Sequence, residues 1–159
     1  MVPDRQKIAA GAQQPEKFDV IIVGAGISGI GSATLLRKHC PDLSFAILEA
    51  LEGHGGTWLI HKYPGTRSDS DLFTFGYGFK PWTGQPIASR DQILDYLGEA
   101  IADAGLGPSI RYGHSVKSAD WSSETARWQL TVERKEAGDV VQMEASFLWM
   151  CQGYYRHEK

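Results

Sequence analysis

Apolar residues follow two rhythms along this chain. From Phe18 to Val23 they run almost without interruption (Phe18-Asp19-Val20-Ile21-Ile22-Val23), so both faces of an extended segment are hydrophobic. Such a run suits a central parallel strand covered on both sides. After Gly24-Ala25-Gly26 the period lengthens. Ile27, Ile30, Ala33, Leu35 and Leu36 fall on the inner side of a helix predicted over about residues 27–39, and Pro41 blocks its continuation. Phe45-Ala46-Ile47-Leu48 is a second apolar run, closed by Glu49. A second helix is predicted over residues 89–104. Ile93, Leu94, Leu97, Ile101 and Ala104 share a face, Ser89 and Gln92 form a capping box, and Gly105 marks the stop.

Three alternating runs come next: Ile110, Tyr112, His114 and Val116; Trp128, Leu130 and Val132; then Val141, Met143, Ala145 and Phe147. Polar turns at Ser122-Ser123-Glu124 and Ala137-Gly138-Asp139 separate them, which predicts an antiparallel meander. The last run becomes continuously apolar from Phe147 to Cys151, as for a strand that rejoins the parallel sheet and ends at Gly153 near the glycine turn. The predicted fold is α/β, a Rossmann-like parallel sheet with a three-stranded antiparallel meander. Residues 18–159 are assigned to this domain. Residues 1–17, polar with Pro3, Gly11 and Pro15, are read as a flexible tail.

Strand, glycine turn, helix, strand and acid in this order are the signature of a dinucleotide-binding βαβ unit. Gly24 permits the turn, Gly26 lets backbone approach a pyrophosphate, and Gly29 lets the helix pack close to the strand. The phosphates would sit at the helix N-terminus, at Gly24, Gly26, Ser28 and Gly29. Glu49 follows at the distance where an acid binds both ribose hydroxyls and disfavours a 2′-phosphate. This first site is therefore not expected to take NADPH. Ala33 extends the motif to G-x-G-x-x-G-x-x-x-A, a form common in flavin enzymes. Gly31, inside the helix, is read as a packing position.

The stretch from Gly55 to Asp71 is rich in Gly, Pro and polar residues and reads as a long loop. Trp58, Tyr63 and Phe73 within and beside it argue against disorder. Asp69 could simply be a turn acid bonding its own backbone. Trp58 could be a plain core aromatic.

Taken together, Asp19-Val20-Ile21-Ile22-Val23-Gly24-Ala25-Gly26-Ile27-Ser28-Gly29, Gly55-Gly56-Thr57-Trp58, Tyr63-Pro64-Gly65 and Arg67-Ser68-Asp69-Ser70-Asp71 resemble the N-terminal part of class B flavoprotein monooxygenases. The likeness is to Baeyer–Villiger monooxygenases of the ethionamide-activating type. It continues through Phe79-Lys80-Pro81-Trp82, Ile110-Arg111-Tyr112-Gly113-His114 and Phe147-Leu148-Trp149-Met150-Cys151-Gln152-Gly153. The resemblance implies FAD as the bound dinucleotide, with NADPH as the reductant of the full-length family members. It implies that Gly56, Thr57 and Trp58 border the flavin and that Val116 meets the adenine through its backbone. Arg67, Ser68 and Asp69 would face the nicotinamide side. Asp69 would be the catalytic residue, partnering an arginine that assists flavin reduction. The implied activity is oxygenation of a ketone or a soft sulfur by O₂ through a C4a-peroxyflavin. One position departs from the pattern: Leu59 stands where the family usually has an acid.

Composition narrows the picture further. The chain has 159 residues, 42% hydrophobic, with a net charge of −3, enough for one domain with a real core and without a basic patch for nucleic acid. Two cysteines, Cys40 and Cys151, fit a reducing cytoplasm and make no C-x-x-C pair, which counts against a disulfide reductase. Five scattered histidines show no metal-ligand spacing, so no metal is expected. No apolar stretch approaches the ~20 residues of a membrane span. The family's inserted NADPH domain, its F-x-G-x-x-x-H fingerprint and the partner arginine are not found in this sequence. The reading is thus of a segment truncated relative to the family. Its alternative function is that of a non-catalytic remnant able at most to bind FAD. Neither the substrate's identity nor the oligomeric state follows from the sequence.

Overall fold

The computed structural model describes residues 14–154. Six strands form one mixed sheet: β1 (Glu16–Val23), β2 (Phe45–Leu48), β3 (Ile110–Arg111), β4 (His114–Ser122), β5 (Arg127–Arg134) and β6 (Asp139–Met150). Their order across the sheet is β3-β2-β1-β6-β5-β4. β1 lies at the centre, parallel to β2 on one side and to β6 on the other, with Ile22 opposite Ile47 and Trp149. β3 adds to β2 in parallel, while β4, β5 and β6 pair antiparallel. The Rossmann-like parallel core and the meander expected from the sequence are both present. The tail read over residues 1–17 lies outside the described residues up to position 13, and Glu16 and Lys17 already belong to β1.

The helices are α1 (Ile27–His39), α2 (Thr57–Ile60), α3 (Leu72–Phe75) and α4 (Arg90–Asp103). On α4 the capping box forms as expected, with Ser89 accepting from the Gln92 backbone and Gln92 returning a bond to the Ser89 backbone. One face of the sheet packs Val20 and Ile22 against Ile30 and Ala33 of α1 and Ile93, Leu97 and Ala100 of α4. On the other face, Ile21, Ala46 and Leu48 pack with Leu130, Val132, Met143 and Ala145 of the meander. This explains the unbroken apolar run of β1: alternate residues feed two separate cores. Each fully buried aliphatic side chain there contributes about 1.5–3 kcal/mol relative to exposure.

Three expectations need correction. Leu35 does not face inward but is 44% exposed. It stands about 140° round the helix from Ile30, and α1 meets the core through the narrow set Gly29, Ile30, Gly31 and Ala33. The first run of the meander is two strands rather than one. Ile110–Arg111 completes the parallel side, and the chain then turns through Gly113, at φ +64°, before β4 begins. The segment read as an uninterrupted loop carries one single-turn helix, α2, and its last residue, Asp71, is the N-cap of another, α3. Asp71 caps α3 by accepting from the Thr74 N–H at 2.9 Å, so the turn-acid role considered for Asp69 belongs to Asp71.

β6 outruns its partner on the meander side. β5 pairs with it only as far as Ala145, and beyond that point Phe147, Trp149 and Met150 are exposed. Past Ala145 the β5 side of β6 is therefore an open sheet edge with apolar side chains exposed beside it.

Candidate dinucleotide site

The end of β1 and the start of α1 build the first wall of the site. Gly24 leaves the strand at φ +106°, and a Cβ on it would lie 2.5 Å from the Cys151 carbonyl oxygen. A Cβ on Gly29 would overlap the Gly24 carbonyl oxygen. Turn and helix therefore touch backbone to backbone, and no larger residue fits at either point. Gly26 is the N-cap of α1 and supplies no side-chain acceptor. The first turn, with Ser28 exposed in it, holds no acid. The N–H groups there are left for an acceptor from outside the helix, where the dipole favours an anion.

Glu49 is the electrostatic centre. It is only 6% exposed. Its Oε2 accepts from the Ala25 N–H at 2.7 Å and its Oε1 from the Leu51 N–H at 2.9 Å. The carboxylate thus holds the glycine turn in shape, and each oxygen keeps a second lone pair for a hydroxyl donor. The backbone of Glu49 is fixed as well: its N–H donates to Arg111 O at 3.0 Å and its carbonyl accepts from the His114 N–H at 2.8 Å. Val116 lies two residues further along β4, paired with Val132 at a register irregularity.

The second wall is Gly55-Gly56-Thr57-Trp58. The Gly55 N–H donates to Ala25 O at 2.9 Å. A Cβ on Gly56 would stand 3.3 Å from Gly26 Cα, so the two glycine turns face each other with no side chain between them. Gly56 caps α2, whose first two residues are Thr57 and Trp58. Trp58 is half-buried and meets Phe75 edge-on, with ring centroids 6.3 Å apart. Leu59, the departure from the family pattern, packs against Gly53.

Arg67, Ser68 and Asp69 form a separate group, tied to the N-terminus of α4 through the Arg67–Ser89 bridge. Arg67, Ser68 and Asp69 line an open cleft with Tyr63, Gly65 and Ile87. Ser68 is buried, and its hydroxyl accepts from the Ala88 N–H at 3.2 Å. Asp69 is exposed and accepts from the Ser70 hydroxyl at 3.3 Å. Among the described residues no ion pair involves Asp69. Beside this group, Arg90 Nε is buried without a hydrogen-bond partner among the described residues, while its backbone N–H donates to Thr66 O at 2.9 Å.

Several contributors were not singled out from sequence. Ala25 joins the two walls by donating to Glu49 and accepting from Gly55. Cys151 lies under the turn, its N–H bonded to Val23 O at 2.8 Å, and burial pushes its thiol pKa up. Tyr77 donates to Ile27 O at 2.5 Å and stacks between Phe79 and Tyr96, pinning the 72–88 segment to α1. Burial raises the Tyr77 phenol pKa above its ordinary range, so it stays a donor. The signal for Tyr77 was Gly31: a Cβ there would lie 2.9 Å from the Tyr77 ring. Among the described residues there is no metal-ligating cluster and no helix long and apolar enough to cross a membrane.

Comparison with known proteins agrees with this fold. The sequence model of the NAD(P)-binding Rossmann-like domain family matches residues 22–97. The FAD-containing monooxygenase EthA of Mycolicibacterium smegmatis is 50% identical over 145 residues, covering 91% of this chain and 29% of that protein. A steroid monooxygenase structure with bound NADP superposes with a TM-score of 0.77 at 31% identity, over 86% of this chain and 26% of the other. An ε-caprolactone-bound cyclohexanone monooxygenase superposes with a TM-score of 0.75 at 25% identity, over 87% and 27% of the two chains. The chain thus spans under a third of the length of these proteins.

Proposed function

We propose that this chain, homologous to EthA-type FAD-containing monooxygenases over about 29% of their length, binds FAD and forms the flavin-holding part of an NADPH-dependent monooxygenase. The observation that carries the reading is the Glu49 carboxylate, buried and bonded to the Ala25 N–H of the glycine turn. One group thereby shapes the pyrophosphate cradle and offers lone pairs to a ribose.

The residues present fit a flavin dinucleotide. Gly24, Gly26, Ser28 and Gly29 would hold the pyrophosphate on backbone N–H groups and the α1 dipole. Glu49 would accept from the ribose hydroxyls, and Val116 would meet the adenine through its backbone. Gly56, Thr57 and Trp58 would border the ring system, where the indole excludes water. Arg67, Ser68 and Asp69 would line the nicotinamide side, with Asp69 holding a cationic partner in place by its charge. When bound, FAD supplies the redox chemistry that passes electrons from NADPH to O₂ and oxygenates a ketone or a sulfur. ε-Caprolactone, bound in the cyclohexanone monooxygenase, is the lactone formed when one oxygen is inserted beside the carbonyl of cyclohexanone, and this supports a ketone as the substrate class.

A second reading is favoured by Asp69, which makes no ion pair among the described residues. In it the chain holds flavin without turning over. Thermal unfolding with FAD, FMN, NAD⁺ and NADP⁺ tests the binding claim. At a hundredfold excess over Kd a ligand of the native state stabilises by about 2.7 kcal/mol. FAD is expected to raise Tm the most, and a larger shift with NADP⁺ would overturn the assignment. NADPH oxidation by the FAD-loaded chain would then remove the second reading.

A further inference from the structure

His54 lies between the acid-bearing end of β2 and the second glycine turn, where no role has been assigned to it. Its ring bridges two elements. Nε2 lies 3.3 Å from the Leu94 carbonyl oxygen of α4, and Nδ1 lies 3.5 Å from the Tyr112 hydroxyl. A single neutral tautomer serves both contacts: Nε2–H donates to Leu94 O, and Nδ1 accepts from Tyr112.

α4 is built to receive this ring. Gly98 sits mid-helix, where glycine is unfavourable. A Cβ there would stand 3.3 Å from His54 Nε2 and 3.6 Å from Cε1. Gly98 is also four residues after Leu94, so its missing side chain leaves the Leu94 carbonyl open to the imidazole. One turn earlier, Leu94 packs so closely on Gly55 that a Cβ there would overlap its Cδ2. On the far side, Tyr112 precedes the Gly113–His114 turn that grips Glu49 and Leu51 through backbone bonds of 2.8 and 3.0 Å. Burial, and after it the Glu49 charge, raises the Tyr112 phenol pKa, which keeps the hydroxyl a donor.

We propose that His54 is a positioning residue: by tying the loop to α4 and to Tyr112, it presses Gly55-Gly56 onto Ala25-Gly26 and so sets the affinity for FAD. It acts through the Gly55 N–H to Ala25 O bond, at 2.9 Å, that joins the two walls. The inference rests on the FAD reading for its ligand, and on the geometry alone for the clamp.

The test is a flavin-fluorescence titration of the full chain with FAD, paired with urea unfolding. His54→Ala is expected to raise Kd about tenfold, the scale of one or two lost hydrogen bonds. His54→Gln, which keeps an N–H for Leu94 O, is expected to recover at least about half of that loss on a logarithmic scale. Gly98→Ala separates clamping from plain stability. Alanine favours the helix, so the urea midpoint is expected to hold or rise. The new methyl displaces the imidazole, so Kd is expected to rise about threefold to fivefold, a fraction of the loss in His54→Ala. In the His54→Ala background the same substitution is expected to add nothing. Wild-type affinity in His54→Ala, independent multiplying losses in the double variant, or a midpoint falling in step with affinity would each overturn the proposal. Should the parent chain bind no FAD, the functional reading fails and the clamp is read on hydrogen exchange at the Gly55 N–H. Faster exchange in His54→Ala then supports the clamp, and unchanged exchange overturns it.

Discussion

Replacing Glu49 by glutamine changes no volume and removes one charge, which isolates what the carboxylate does. Both of its oxygens accept from backbone N–H groups, Ala25 at 2.7 Å and Leu51 at 2.9 Å. The amide of glutamine has one oxygen and one NH₂, so one of these N–H groups must face a donor. A lost hydrogen bond to a charged group costs about 1.5–3 kcal/mol, and a buried unsatisfied donor about 1–3 kcal/mol, two penalties that overlap. The neutral side chain recovers part of the cost of burying a charge. The net loss expected for Glu49→Gln is therefore about 2 kcal/mol. With a urea m-value of about 1–3 kcal/mol/M, the unfolding midpoint should fall by roughly 1 M. The same substitution removes the charged acceptor offered to the ribose, and FAD should bind about tenfold more weakly or worse. The assay is urea unfolding of the apo chain alongside FAD titration. A variant with the parent's midpoint and the parent's FAD affinity would refute the role given to Glu49.

Tyr77→Phe keeps the stacking on Phe79 and Tyr96 but loses the bond to Ile27 O, so unfolding should show a loss of about 1 kcal/mol. Gly31→Ala would gain about 1 kcal/mol in an open helix; with the Tyr77 ring 2.9 Å from the new methyl, a net loss in urea midpoint is expected instead. The Arg111 guanidinium holds the Glu16 carboxyl below its ordinary 4.5. The stabilisation from this pair is complete above that value and is lost as pH falls through the lowered one. Unfolding at stepped pH should therefore separate wild type from Glu16→Gln at neutral pH and merge them in strong acid. Asp69→Ala should leave stability within about 0.5 kcal/mol, because the side chain is exposed. FAD affinity should also hold, while stopped-flow reduction by NADPH in a protein of the relatives' full length should slow.

What the sequence made legible was governed by neighbours along the chain. The extent of α1 follows from the glycine turn before it and Pro41 after it, and the start of α4 from its capping box. The place of Glu49 beside the glycine turn was readable because its distance from the glycines is fixed by one helix and one strand. What stayed hidden depended on contacts between distant segments. Alternation keeps its parity through Tyr112-Gly113, so the division between β3 and β4 left no mark on the pattern. α2 and α3 are single turns, too short to show a helical period. Ser68 looks like an open polar residue until the Ala88 backbone is seen against it. His54 and Tyr112 are 58 positions apart, and nothing local to either predicts that they meet.

The most direct measurement is the visible absorption spectrum of the purified chain after incubation with FAD and desalting, recorded together with circular dichroism. Binding of FAD at the Glu49 site predicts retained flavin bands on a folded chain, lost in Glu49→Gln. A folded chain that keeps no flavin would contradict it.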